Sequence, residues 1–366
     1  MEVKRVAILG AGNGGITAAA HVKSMGFEVS LYELPDYGKN LEGISKKGGI
    51  LYKKREGGEQ FITPDLLTTD ICEAIEGAQI IMLTIPGFAI EVFAEILAPV
   101  VEEDQIIFFN GAAAMACVRF VNKAKEMGIT KKFKIAEANS LTYGTRAFPD
   151  EAVVEMSLYV NKLYFAAYPS SNTEELLKSC IQVYDCLVPA TNIWETTLAN
   201  GNPEVHPGPC LLNAGRIEYS KGEFWLYREG ITKHTANIIK AIEKERLDLG
   251  KKLGFDLEGA ALGRATRGYF SESEGELYEL FNNSEVFAQI KGPLSVTSRY
   301  FTEDISTGLV LWSSIGKAIG VETPAIDSVI TLGGALLERD FYDEGISLES
   351  LGLGGMNIEE LVQTVS

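Results

Sequence analysis

Histidine is scarce in this chain, with three among 366 residues. Any imidazole chemistry therefore rests on His21, His206 or His234. Cysteine is nearly as rare. Cys72, Cys117, Cys180, Cys186 and Cys210 show no paired metal spacing, and their odd number argues against a disulfide framework. No metal site is expected, and a reducing cytoplasm is the expected compartment. Positive charge is the minority sign: 33 Lys and Arg face 50 Asp and Glu, a formal net charge of −17. That balance opposes binding to nucleic acid or to an anionic membrane, so an anionic substrate must be held by individual arginines. No uninterrupted apolar run is long enough to span a bilayer. No amino-terminal leader stands out either, because a strand begins almost at once and cleavage would remove the motif that follows it. Repeats and low-complexity tracts are absent.

Hydrophobic residues nonetheless reach 46%, and 366 residues exceed what one core usually supports, so two domains are expected. Val6 to Leu9 reads as a buried parallel strand running into Gly10-Ala-Gly12-Asn13-Gly14-Gly15, with a helix expected from Ile16 to Met25. In that context the glycine pattern is a dinucleotide-binding fingerprint. Gly10 allows the tight turn, Gly12 lets a pyrophosphate approach the backbone, and Gly15 lets the helix pack on the strand. The helix N-terminus offers free N–H groups to phosphates. A second strand, Glu28 to Tyr32, ends at Glu33, whose carboxylate suits two ribose hydroxyls and repels a 2′-phosphate. NAD is favoured over NADP.

The first half alternates strands and helices, as a doubly wound parallel sheet does. Strands are expected over Gln79–Thr84, ending at Ile85-Pro86-Gly87, over Gln105–Phe109 and over Phe133–Ala138. Helices are expected over Ala89–Leu97 and from Ala112 to Ala116 onward. Pro86 falls just past a strand's carboxyl end, where such sheets place ligand-facing loops. Val153–Val160 and Leu163–Tyr168 read as an antiparallel pair around Asn161-Lys162, and a short strand near Leu187 closes the domain. The expected division is a Rossmann domain over 1–187 and a mostly α-helical domain over 188–366. In the second, Ile231–Leu253, Thr307–Ile319 and Pro324–Leu337 carry helical periodicity, with Thr323 as an N-cap.

A bound NAD implies hydride transfer, which leaves the protein to supply a proton donor or acceptor and a substrate anchor. His21 lies inside the first helix and reads as surface or packing. His234 reads as a solvated residue in the first turn of a charged helix. His206 lies in Asn202-Pro-Glu-Val-His206-Pro207-Gly208-Pro209, a segment expected to be rigid and irregular, and it stands open between a proton-transfer group and a structural histidine. His206 and Cys210 are four apart, but the prolines are expected to spoil helical spacing, so Cys210 reads as an apolar filler. Arg299 offers a planar fork for a carboxylate, and Asp304 could orient an imidazole; a solvated charged loop is the plain alternative.

These elements together resemble the opine dehydrogenases, the octopine/nopaline dehydrogenase family, nearly end to end. The match comprises the glycine fingerprint, Asn202-x3-His206-Pro207 followed by Leu211-Leu212-Asn213, then Tyr227-x-Glu229-Gly230-Ile231, and finally Arg299-Tyr300-x-Thr302-Glu303-Asp304 with Gly308-Leu309. The resemblance implies a catalytic pair, His206 with Asp304, and a substrate-binding arginine, Arg299. It implies that Asn202 contacts cofactor or substrate. It also implies a substrate role for Arg146 in Tyr143-Gly144-Thr145-Arg146, although the family often has a proline where this chain has Thr142, so a structural arginine stays open there. The implied fold is an NAD(P)-binding Rossmann domain plus a helical opine dehydrogenase domain with the active site in the cleft between them. The implied state is a monomer or homodimer. The implied reaction, on the CH–NH group, is NADH-dependent reductive condensation of an α-keto acid, with pyruvate as the family's example, with the amine of an amino acid, and its reversal. The alternatives are a ketopantoate reductase-like keto acid or ketone reductase and a non-catalytic NAD-binding sensor.

Overall fold

The computed structural model describes residues 1–366 apart from Glu56, Ala112, Ala113 and Gln289, and it divides into two compact units, Met1–Thr196 with Ser366, and Thr197–Val365. The first unit is built on two sheets. Its strands are β1 (Arg5–Leu9), β2 (Glu28–Tyr32), β3 (Ile50–Lys54), β4 (Glu59–Ile62), β5 (Leu66–Thr68), β6 (Ile80–Leu83), β7 (Ile106–Phe109), β8 (Lys134–Ala138), β9 (Tyr143–Phe148), β10 (Val153–Tyr159), β11 (Leu163–Tyr168) and β12 (Leu187–Pro189). The larger sheet has the order β12-β11-β8-β7-β6-β1-β2-β5. Its strands β5, β2, β1, β6, β7 and β8 run parallel, in the arrangement of a doubly wound dinucleotide-binding sheet. Helices cover such a sheet on both faces, so its central strands have to be apolar throughout. Val6 to Leu9 and Ile80 to Leu83 accordingly have no exposed surface.

The expected hairpin between β10 and β11 does not form. β10 pairs with β9 and β3 in a separate four-stranded sheet of order β4-β3-β10-β9, while β11 pairs antiparallel with β8 and parallel with β12 in the large sheet. Asn161-Lys162 turns the chain from one sheet into the other. Burial explains the separation: β11 carries Leu163, Phe165, Ala166 and Ala167 with no exposed surface, whereas most of β10 is only half-buried. A strand covered on both faces belongs inside the large sheet, and a half-covered one does not.

The first helix, Asn13–Ser24, lies between these two sheets. Thr17 and Thr145 share a 2.7 Å hydrogen bond, and His21 Nδ1 lies 3.0 Å from the Tyr143 hydroxyl. His21 is therefore a packing residue inside a ring of Tyr52, Tyr143, Tyr159 and Tyr184. Burial drops its pKa to about 4, so it stays neutral there. Of the segment expected to open a helix, Ala112 and Ala113 lie outside the described residues. The helix itself spans Ala116–Glu126.

The large sheet carries the first unit past the boundary read near residue 188, because β12 pairs with β11 and the chain then runs to Thr196. Beyond it, among the described residues, the second unit holds no strand. Its long helices are Thr235–Leu253, Val310–Ile319 and Pro324–Leu337. Thr323 precedes the last of these but makes no side-chain cap. Glu245 supplies the acceptors instead, taking the N–H groups of Ala325 at 2.7 Å and Ile326 at 2.9 Å. A carboxylate from a neighbouring helix thus does the work of an N-cap, favoured by the positive end of the helix dipole. His234, exposed at the start of Thr235–Leu253, is solvated. No helix among the described residues is long and apolar enough to cross a membrane.

Glu137, on β8, is fully buried and accepts the Cys117 N–H at 3.0 Å and the Thr196 hydroxyl at 2.9 Å. Burial pushes its carboxyl up to about 7, against the hydrogen bonds that pull it down. A carboxyl raised in the folded state contributes fully where both states hold the proton, and that contribution fades as pH climbs from the unfolded value through the folded one. Glu137→Gln removes the titration. Between about pH 5 and about pH 8 the variant should lose about 2 kcal/mol less unfolding free energy than the wild type. Denaturant unfolding at the two pH values reads this directly, and equal losses in both proteins would refute it.

Candidate active site

The glycine motif sits where β1 ends. Gly10 takes φ +98°, a conformation strained for any residue with a side chain, and a Cβ there would lie 2.9 Å from Ile85 Cγ2. A Cβ on Gly15 would overlap the Gly10 carbonyl oxygen, and one on Gly14 would press on Leu141. Gly12 faces open space, and both Gly12 and Asn13 are exposed. The first N–H groups of the helix Asn13–Ser24, which starts directly after Gly12, have no intrahelical acceptors and no side-chain cap. Asn13 also steadies the loop, because its Oδ1 accepts the Ala147 N–H at 2.9 Å. Pro86 begins the turn after β6, the strand beside β1.

Glu33 is buried at the carboxyl end of β2. Its Oε2 accepts the Ala11 N–H at 2.9 Å and the Asn40 amide at 3.1 Å, and its Oε1 accepts the Leu34 N–H at 2.9 Å. The carboxylate therefore shapes the glycine loop as well as pointing a charge into it. A carboxylate has about four acceptor positions, so three bonds leave room for a further donor. An exposed glycine, a bare helix N-terminus and this carboxylate together fit a dinucleotide.

The second unit brings His206 and Asp304 together. His206 Nδ1 lies 2.7 Å from Asp304 Oδ2 across 98 residues of sequence, and Nε2 lies 2.7 Å from the Tyr227 hydroxyl. The Tyr300 ring packs on the imidazole with centroids 4.3 Å apart. Only 6% of His206 is exposed. Burial pushes the Asp304 carboxyl up, and its bond to His206 pulls it back.

His206 joins two short helices, Asn202–Val205 and Pro207–Leu212. The expectation of an irregular segment was wrong on this point. Both prolines fall in the first turn of a helix, where their missing N–H groups cost no intrahelical bond. The Cys210 N–H accordingly donates to the His206 carbonyl at 3.0 Å. The Cys210 thiol is buried, and among the described residues no three candidate metal ligands come together.

The segment is held from below by Glu204. This fully buried carboxylate takes Arg246 Nε at 2.8 Å and Arg264 Nη1 at 3.3 Å. The same guanidiniums cap the Leu198, Glu258, Ala260 and Gly201 carbonyls. Breaking such a pair by removing one partner costs about 3–5 kcal/mol, so the helix before His206 has little freedom.

Both partners of His206 sit on π-helical turns. Tyr227 belongs to Leu226–Gly230, and Asp304 opens Asp304–Leu309, a wide turn between the α-helical stretches Arg299–Glu303 and Val310–Ile319. Widened turns of this kind recur at functional sites. Asn213 ties the first to the His206 segment by donating to the Pro209 and Gly230 carbonyls at 2.9 and 3.1 Å.

The helical domain of the NAD/NADP octopine/nopaline dehydrogenases matches residues 189–337. An opine dehydrogenase from Arthrobacter sp. (strain 1C) is 32% identical over 356 residues, covering 97% of each chain. The chain belongs to the opine dehydrogenase family. Protein ocs of Agrobacterium tumefaciens (strain Ach5) is 26% identical over 377 residues, covering 99% of each chain. An octopine dehydrogenase solved with NADH and L-arginine shares the fold, with a TM-score of 0.75 at 19% identity and 98% coverage of both chains.

In this opine dehydrogenase family member the other sequence candidates lie apart from the imidazole contacts. Arg299 is one turn before Asp304, but its guanidinium reaches Glu303 and its side chain is 65% exposed. Asn202 is exposed, and only its carbonyl meets the His206 N–H, at 3.0 Å. Arg146 is exposed on β9 in the first unit, opposite Glu155. Tyr227 and Tyr300 were legible only as letters in the family motifs. Nothing in their spacing could announce a contact with His206.

Gly308 is where the Asp304 turn meets the His206 segment, because a Cβ there would overlap the Pro203 ring. Gly308→Ala must push the two apart. A displacement of about 1 Å can cost about 10²-fold in rate, so turnover should fall by that order while overpacking costs about 1–3 kcal/mol. Steady-state kinetics beside thermal unfolding separates the two effects, and unchanged turnover would show that the contact is slack.

Proposed function

We propose that this enzyme is an NADH-dependent opine dehydrogenase that condenses an α-keto acid, pyruvate in the first instance, with the amine of an amino acid, and oxidises the product in reverse. It acts on the CH–NH group of the opine. The reading rests chiefly on the 2.7 Å bond between His206 and Asp304 inside a helical unit of this family.

Gly10, Gly12, Asn13, Gly14 and Gly15 hold the pyrophosphate, with the helix N-terminus supplying N–H donors. Glu33 takes a ribose hydroxyl in its remaining acceptor position, and Pro86 borders the site. When bound, NADH supplies a hydride to the trigonal carbon of the condensed substrate.

The chain's own residues manage protons and orientation. Asp304 accepts a hydrogen bond from Nδ1–H, so Nε2 is the basic nitrogen and the imidazolium is stabilised when it forms. His206 takes a proton from the amine as its nitrogen attacks the keto carbon. It returns that proton to the new alkoxide, giving the carbinolamine; a second round moves the remaining nitrogen proton to the hydroxyl as the C–O bond breaks, leaving the imine and water. Arg299 holds a substrate carboxylate through its planar fork, leaving Glu303 to do so. Asn202 and Arg146 are further substrate contacts. The substrates are small anions and zwitterions, consistent with a net charge of −17 that disfavours nucleic acid and anionic membranes. With all five cysteines free, we place the enzyme in the cytoplasm, as a monomer or homodimer.

The test is amine dependence. Screening amino acids with pyruvate and NADH should show NADH oxidation only when both organic partners are present, with a secondary amine dicarboxylate as the product by mass. Oxidation with the keto acid alone would mark a keto acid reductase, and none with any pair would mark a binding protein. His206→Ala should lower turnover about 10²–10⁴-fold; a variant with normal turnover would remove the imidazole from the mechanism.

A further inference from the structure

His206 has no free nitrogen. Nδ1 is bonded to Asp304 and Nε2 to the Tyr227 hydroxyl, each at 2.7 Å. A carboxylate can only accept, so the direction runs from phenol to Nε2 and from Nδ1 to Asp304. The opposite direction would leave the phenol proton without an acceptor among the described residues, since the hydroxyl makes no hydrogen bond there besides the one to Nε2. Burial pushes the phenol well above its ordinary value, which keeps the donor protonated.

The phenol has no room to swing aside. Its ring stacks on Phe287 with centroids 4.2 Å apart at 20° and on Phe281 at 5.9 Å and 16°. Asn282 clamps its backbone by donating to the Tyr227 carbonyl at 2.6 Å and to that of Ile231 at 3.0 Å. Only 5% of the residue is exposed.

From this geometry we infer that protons reach and leave His206 through the hydroxyl of Tyr227, which is the outer member of a three-part relay, Asp304–His206–Tyr227. The inference rests on the acid–base role proposed above for His206. As the amine attacks, its proton bonds to the Tyr227 oxygen while the phenol's own proton passes to Nε2, giving imidazolium beside Asp304. In the return step Nε2 gives its proton to the phenol oxygen, and the phenol proton passes to the new alkoxide, giving the carbinolamine; a second round carries the remaining nitrogen proton to the hydroxyl, which leaves as water as the C–O bond breaks and the imine forms. The phenol is neutral before and after each transfer, and no electrons change hands.

Tyr227→Phe keeps the ring stack and removes the oxygen. Turnover should fall by about 10²-fold or more, with KM for the keto acid changed less than about threefold. Because relay members act in series, Tyr227→Phe with His206→Ala should be about as slow as His206→Ala alone. A Tyr227→Phe enzyme that turns over as fast as the wild type, or faster, would make the phenol a plug and overturn the relay. Thermal unfolding of the variant checks that the core is intact. Nitrogen NMR of the three histidines provides a readout without substrate: the His206 Nε2 signal should move in Tyr227→Phe, and an unmoved signal overturns the relay. A wild-type protein inactive with every substrate pair would instead overturn the proposed reaction, while the NMR result would still report the bond.

Discussion

A single hydrogen bond organises the centre of the helical unit. His206 and Asp304 come from segments almost a hundred residues apart, and they pair inside a largely apolar surround. Hydrogen bonds to charged groups contribute about 1.5–3 kcal/mol, and more is at stake if one partner is left buried alone. Asp304 illustrates the balance, since burial disfavours its charge while the bond from the imidazole restores it. Neither group would be poised in the same way in water.

The helical unit holds that bond from several sides. Glu204, two residues before His206, is locked between Arg246 and Arg264. Asn213 joins the end of the next helix to the Tyr227 turn. Gly308 lets the Asp304 turn rest directly on Pro203. Arg264 also lies over the Phe281 ring, 5.1 Å from its centroid, which couples the buried ion pairs to the aromatic stack beneath Tyr227. Charge, backbone turn and ring stack thus converge on one imidazole.

The first unit shows where local pattern is reliable. Its glycine loop and β2 up to Glu33 were legible because they depend on neighbours a few residues away: a turn needing positive φ, a helix start, a strand end. The expected β10–β11 hairpin failed because a two-residue turn looks alike whether the chain doubles back or changes sheets. Pro207 and Pro209 misled for a related reason. A proline breaks a helix interior but suits a first turn, and only the observed start at Pro207 tells which applies.

By itself the sequence determined the dinucleotide motif, the alternating α/β half, the helical half and the family, through His206, Arg299 and Asp304 in their order. The tertiary structure alone decided that Tyr227 caps the second nitrogen of His206, that Glu245 caps a distant helix, and that Arg299 turns to Glu303. Sequence periodicity reports which face of an element is apolar. It carries no information about which polar atom lies within 3 Å of another after packing, because that distance depends on every element between them.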